Sequence, residues 1–96
     1  MNATQNQSRD PFPLGQVVAT PGALAEIPHE EIAAALGRHN RGDWGEVGEA
    51  DKQENELSLR EGFRLLSAYR SAAGVKFWII TEADRSATTV LLPDEY

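Results

Sequence analysis

The sequence contains no cysteine, which excludes a disulfide framework, a thiolate nucleophile and a cysteine-ligated metal. It has no surplus of basic residues either. Nine Lys and Arg against fifteen Asp and Glu give a net charge of −6, a sign that repels phosphates, so direct binding to nucleic acid is not expected. No apolar run approaches the ~20 residues of a membrane span, and the polar N-terminus, Met1 to Ser8, lacks the apolar centre of a signal peptide. A soluble, cytoplasmic protein is the expectation. Catalytic signatures are missing as well: there is no Gly-x-Gly-x-x-Gly, no Walker loop, and none of Ser67, Ser71 and Ser86 sits in a Gly-x-Ser-x-Gly turn. His29 and His39 are the only histidines. On one helix they lie about 80° and ~15 Å apart, too far to share a metal. The acidic residues do not follow the spacing of a calcium loop. Neither a cofactor nor a metal is expected.

What is there suits one small α+β domain. A chain of 96 residues buries only about 60–65% of the surface its unfolded form exposes, so its margin of stability is small. Its hydrophobic content of 41% and charged content of 25% are those of a globular protein. Residues 1–13, rich in Asn, Gln, Ser and Pro, read as a flexible tail, and residues 14–96 as the domain. Leu14 to Ala19 reads as a short strand. Thr20 and Pro21 then open a brief helix to Ile27, Thr as N-cap and Pro at the first helical position. A second helix runs from about Pro28 to His39 with Glu30 and Glu31 in its first turn, and Ile32, Ala35, Leu36 and His39 form its apolar stripe. His39 is expected at the C-terminal end, beside the helix dipole. Gly42 to Gly45 makes a tight turn, and a third helix, Glu49 to Glu61, closes at Gly62. Its surface is nearly all polar, with Leu57, Leu59 and Phe63 as anchors.

The last third predicts an antiparallel meander: Arg64 to Arg70, Val75 to Thr81, and Thr88 to Leu92. The order is therefore β-α-α-α-β-β-β, an antiparallel three- to four-stranded sheet with short helices packed on one face. The middle strand is apolar on both sides, Phe77 and Ile79 pointing one way, Trp78 and Ile80 the other. Both faces of the sheet should be covered there. Helices cover one. For the face carrying Trp78 and Ile80, the candidates are the N-terminal segment, a second copy in a homodimer, or another partner.

Charge is unevenly placed. Residues 29–62 hold nine acids and four bases, a local −5, which suits a basic partner surface or, more simply, a solvated helix face. Glu46, Glu49, Asp51, Glu54 and Glu56 are the candidate partner-binding carboxylates. Trp44, in the turn before them, reads either as a plug seating the loop on the core or as an anchor in a partner. Arg85 lies in the connection between the last two strands, where it would pair with local charges.

Several segments occur together: Leu14-Gly-Gln-Val-Val-Ala-Thr-Pro-Gly-Ala-Leu24, Arg38-His-x-x-Gly-Asp-Trp-Gly45, Arg60-Glu-Gly-Phe-Arg64, and Trp78-Ile-Ile-Thr-Glu-Ala-Asp-Arg-Ser86. In these the chain resembles a small family of plasmid, phage and integrative-element proteins, the plasmid-related proteins. The resemblance implies a mobile-element setting and no catalytic residues. It points to an inhibitor of a host defence nucleoprotein complex, against restriction or CRISPR systems, that covers a basic surface with carboxylates. The meander with Arg64, Tyr69, Arg70 and Arg85 is also similar to the C-terminal part of RelE-type ribosome-dependent RNase toxins. Those are strongly basic, and this chain is acidic.

Overall fold

The computed structural model describes residues 12–96. The tail expected over 1–13 lies outside the described residues except for Phe12 and Pro13. Phe12 is buried against His39 and Trp44, so residue 12 is already part of the packed domain.

The elements follow the expected order: β1 Gln16–Ala19, α1 Pro21–Glu26, α2 His29–Asn40, α3 Glu49–Glu61, β2 Leu65–Arg70, β3 Lys76–Thr81, β4 Ala87–Leu91 and a 3-10 turn Pro93–Glu95. Local chemistry sets their ends. The Thr20 hydroxyl accepts from the Ala23 amide at 3.2 Å, and Pro21 follows at the first helical position. Gly62, at φ 81°, ends α3, its amide donating to the Ser58 carbonyl.

The sheet order is β1-β4-β3-β2. β2, β3 and β4 form the antiparallel meander, with Tyr69 opposite Phe77 and Ile79 opposite Val90. β1 joins β4 in parallel, which makes the sheet mixed. Ala23 and Ile27 of the α1 region, with Ile32 and Ala35 of α2, cover Tyr69, Phe77, Ile79 and Val90 on one face. Helix α3 does not lie on that face. It runs beside the outer edge of β2, and the residues it turns inward are Asn55 and Ser58, with Leu59 half-buried. Leu57 and Phe63, expected as anchors with Leu59, are exposed; of the three only Leu59 packs inward, against the cluster of Phe12, Trp44 and Leu65, and the rest of the side nearest β2 meets backbone polar groups.

The face carrying Trp78 and Ile80 is covered from within the chain. Tyr96 packs edge-on against the Trp78 ring and takes a hydrogen bond from Arg64, while Ala68, Ile80 and Leu91 are buried. Glu95 fixes this turn, accepting from the Thr20 hydroxyl, the Gly22 amide at 3.0 Å and the Leu92 amide at 2.9 Å. The expected dimer or partner face at Trp78 and Ile80 is thereby corrected: Ile80 is buried and Trp78 is half-covered by residues that follow β4.

At Leu66 and Ala68 the outer edge of β2 is closed group by group. The Asn55 amide donates to the Leu66 carbonyl at 2.8 Å and its oxygen accepts from the Leu66 amide at 3.1 Å, as a neighbouring strand would. Two residues on, the Ala68 amide donates to Trp44 O at 3.1 Å and its carbonyl accepts from Glu46 N at 2.7 Å. Gly45 lies between these partners with φ 74°, and a Cβ there would collide with the Ala68 carbonyl and the Tyr69 ring. An edge whose polar groups are paired cannot template another chain. Asn55→Ala should lower stability by about 2 kcal/mol, measured by urea unfolding, because two partly buried backbone groups lose their partners. Asn55→Asp, which keeps the acceptor but sets a carboxylate against the Leu66 carbonyl, should be no better.

Candidate functional site

Five exposed carboxylates and one tryptophan were expected to form a partner-binding surface, and the structure separates them. At about 100° per residue, Glu49 and Glu56 fall on one flank of α3 and Asp51 and Glu54 on the other, with Gln53, Leu57 and Arg60 nearest the outward ridge. A groove of about 370 Å³ on the first flank is lined by Asp43, Trp44, Glu49, Lys52 and Glu56. One of about 480 Å³ on the second is lined by Asp51, Glu54, Asn55, Phe63, Arg64 and Leu66.

Two of the five carboxylates have work inside the chain. Glu46 pairs with Arg70 at 3.2 Å, and Glu56 accepts from the Trp44 indole at 3.1 Å. Among the described residues, Glu49, Asp51 and Glu54 make no ion pair. Trp44 itself is 4% exposed, stacked on Phe12 and edge-on to His39. Its expected role as a partner anchor is corrected: burial leaves the ring no surface to offer, and it seats the loop on the core. Arg38 holds that loop from outside, its guanidinium 2.7 Å from the Asp43 carboxylate and 4.8 Å over the Tyr69 ring. The hydrogen bond from Arg38 keeps the Asp43 carboxyl below the usual carboxylate range.

The basic and aromatic residues that a ribonuclease would use are likewise engaged. Arg85 adopts φ 63°. It donates to the carbonyls of Phe63 at 2.7 Å, Glu82 at 3.1 Å, Ala83 at 3.2 Å and Ser58 at 3.0 Å. It therefore clamps the end of α3 to the turn between β3 and β4, rather than pairing with local carboxylates. The buried Tyr69 hydroxyl donates to the Asp43 carbonyl at 2.5 Å, and burial pushes its pKa up to about 12. Arg64 reaches Tyr96, and Arg70 reaches Glu46.

A chain of buried polar groups that the sequence reading missed lies behind Trp44. Ser67 Oγ and His39 Nδ1 are 2.5 Å apart, His39 Nε2 and Thr81 Oγ1 2.8 Å, and Thr81 Oγ1 and Thr88 Oγ1 2.7 Å. Thr88 donates to the Leu14 carbonyl at 2.7 Å. That last bond fixes the direction of all the others. A carbonyl can only accept, so Thr88 spends its one proton there and must accept from Thr81. Thr81 then has no proton left for His39, whose Nε2–H must donate, which in the neutral imidazole leaves Nδ1 bare to accept from the Ser67 hydroxyl. All four side chains are buried. The available signal was Ser67, Thr81 and Thr88 at positions that alternate with apolar residues on the covered face of the sheet.

A Ser–His hydrogen bond is also the start of a nucleophile and base. Here Ser67 and His39 are both 0% exposed, no substrate can reach the hydroxyl, and the second ring nitrogen donates to a threonine rather than to a carboxylate. The pair is structural. His39 sits in the last turn of α2, as expected, and is turned into the core as a neutral imidazole, its pKa pushed down to about 4 by burial and then by the nearby Arg85 charge.

No three His, Asp or Glu residues among those described come together as a metal site. No described helix is long and apolar enough to cross a membrane. No family model, curated protein or solved structure matches this chain.

The titration of His39 has a definite sign. The unfolded chain takes up its proton from about pH 6.5 downward and the folded chain only near 4, so between these values the unfolded state binds more protons and stability falls as pH falls. The neutral histidine should contribute fully above pH 6.5 and lose about 3 kcal/mol by pH 4. An NMR titration should show the His39 ring still neutral at pH 5. A midpoint near 6.5 would contradict the buried arrangement.

Proposed function

We propose that the protein is a non-enzymatic binding protein that docks its acidic helix α3 on a basic surface of a partner. The observation that carries this reading is the placement of Glu49, Asp51 and Glu54: exposed, outside any ion pair among the described residues, and on an element that turns only Asn55, Ser58 and Leu59 toward the core. Carboxylates held on a rigid helix bind Arg and Lys at charge-assisted strength and steer association over distance. Their division between the two flanks of α3 favours a concave partner. A helix is about 10–12 Å across, and a basic channel that receives it could contact both flanks at once.

Channels of that kind are built to hold nucleic acid. The resemblance to proteins of plasmids, phages and integrative elements supplies the setting: an inhibitor, acting in the cytoplasm, of a host restriction or CRISPR complex. The engagement of Arg64, Tyr69, Arg70 and Arg85 in contacts within the fold supports a binding role over the ribonuclease alternative.

The test is affinity capture from a bacterial lysate with the protein and with a Glu49→Lys, Asp51→Lys, Glu54→Lys variant. The variant should keep its circular dichroism, with a urea midpoint lowered modestly because Glu49 and Asp51 lie in the first turn of α3, and lose the captured partner, and binding of the unmodified protein should weaken steeply with salt. Binding that survives the triple reversal would remove the electrostatic reading. Expression in a bacterial host should be harmless, and Arg85→Ala should act only by lowering stability. Growth arrest relieved by Arg85→Ala would favour the ribonuclease.

A further inference from the structure

The two edges of the sheet are treated differently. On β2 the outward amides and carbonyls of Leu66 and Ala68 are all paired within the chain. On β1 the ladder to β4 uses Gln16 and Thr20, whose amides donate to the Ser86 carbonyl at 3.0 Å and the Val90 carbonyl at 2.9 Å. The alternation of a parallel ladder therefore turns the amide and carbonyl of both Val17 and Ala19 outward. Among the described residues nothing pairs with them. Apart from its shortness, four residues, the edge lacks the usual protections: Gln16–Ala19 has no charge, no proline and no bulge. Val17 is 45% exposed on one face of the strand and Val18 41% on the other, and Leu24 in the following helix is exposed as well.

We propose that β1 pairs with β1 of a second copy, antiparallel and about a two-fold axis through Val18, to make a continuous eight-stranded sheet. The register is self-complementary. With Val18 opposite Val18, Val17 of each copy faces Ala19 of the other, and all four outward groups of each strand find a partner. The Val18 pair is then of the close, non-hydrogen-bonded kind, with Cα atoms about 4.5 Å apart, where β-branched side chains pack well.

Charge placement favours a second copy over an acidic or basic peptide. The edge itself is neutral, and the acidic helix α3 stands beyond β2, at the other end of the sheet. In the dimer the two β2 strands are seven strand spacings apart, about 34 Å, several times the screening length of about 8 Å in physiological salt. Two chains of charge −6 can therefore meet at this edge without bringing their acidic helices together. With only four residues in each pairing strand, the contact should fall short of the about 1,200 Å² of a standard stable interface, so the dimer is expected at high micromolar protein and should dissociate on dilution. This inference is independent of what α3 binds.

Sedimentation equilibrium of the full chain from about 10 µM to 1 mM tests it. The mass should rise toward twice the monomer value. Val18→Lys and Val18→Glu should each stay monomeric, because like charges then face each other across the axis, and an equimolar mixture of the two should recover the dimer. That recovery separates lost pairing from lost folding. A monomeric mass for the unmodified chain throughout the range would overturn the proposal, which would leave the edge to another partner or to the chain's own N-terminal residues. Dimerisation unaffected by either variant would overturn it too, by placing the contact on another face.

Discussion

The buried hydrogen-bond chain from Ser67 through His39, Thr81 and Thr88 to the Leu14 carbonyl is the constraint on which the rest of the structure depends. It joins helix α2, three strands and the segment leading into β1, and its proton order has one solution. A buried polar group without a partner costs on the order of 1–3 kcal/mol, so each member holds its neighbours in place. A shift of β3 by one residue would remove Thr81 from His39 and from Thr88 at once. In β3, apolar on both faces, alternation alone specifies register weakly, and the polar chain adds a requirement that only one arrangement meets.

The same economy governs the outside of β2. The loop around Gly45 and the side chain of Asn55 replace a neighbouring strand, and both are positioned by contacts that the functional reading would otherwise claim for a partner. Trp44 seats the loop by filling the space beside Phe12 and His39, and Glu56 satisfies its indole. Arg85 pins the C-terminal end of α3 through the Ser58 carbonyl. The helix is thus rigidly mounted by its polar side, which leaves Glu49, Asp51 and Glu54 exposed. Mounting and display are two consequences of one geometry.

Mounting also decides the distribution of charge over the molecule. With α3 beyond β2, the acidic surface sits at one end of the sheet and the neutral, apolar edge of β1 at the other. An interface at β1 and an acidic docking surface at α3 can therefore coexist without competing for the same residues. The face bearing Trp78 and Ile80 is reserved for the chain's own C-terminal turn, where Glu95 ties Tyr96 back toward the start of α1.

The sequence by itself determined the element order and the apolar stripe of α2, because these follow from local periodicity, capping residues and turn chemistry. The C-terminal end of α3 was legible in Gly62, and the doubly apolar β3 rightly implied that both faces of the sheet are covered. Tertiary structure alone decided what covers the second face, that β1 pairs in parallel with β4, and that Asn55 acts as a strand edge. Each joins residues far apart in the chain, and a hydrogen bond between distant polar side chains leaves no periodic trace. The acidic residues show the division most plainly. Their number was readable, but whether a carboxylate is exposed, paired with Arg70 or holding Trp44 depends on where the fold brings the other group.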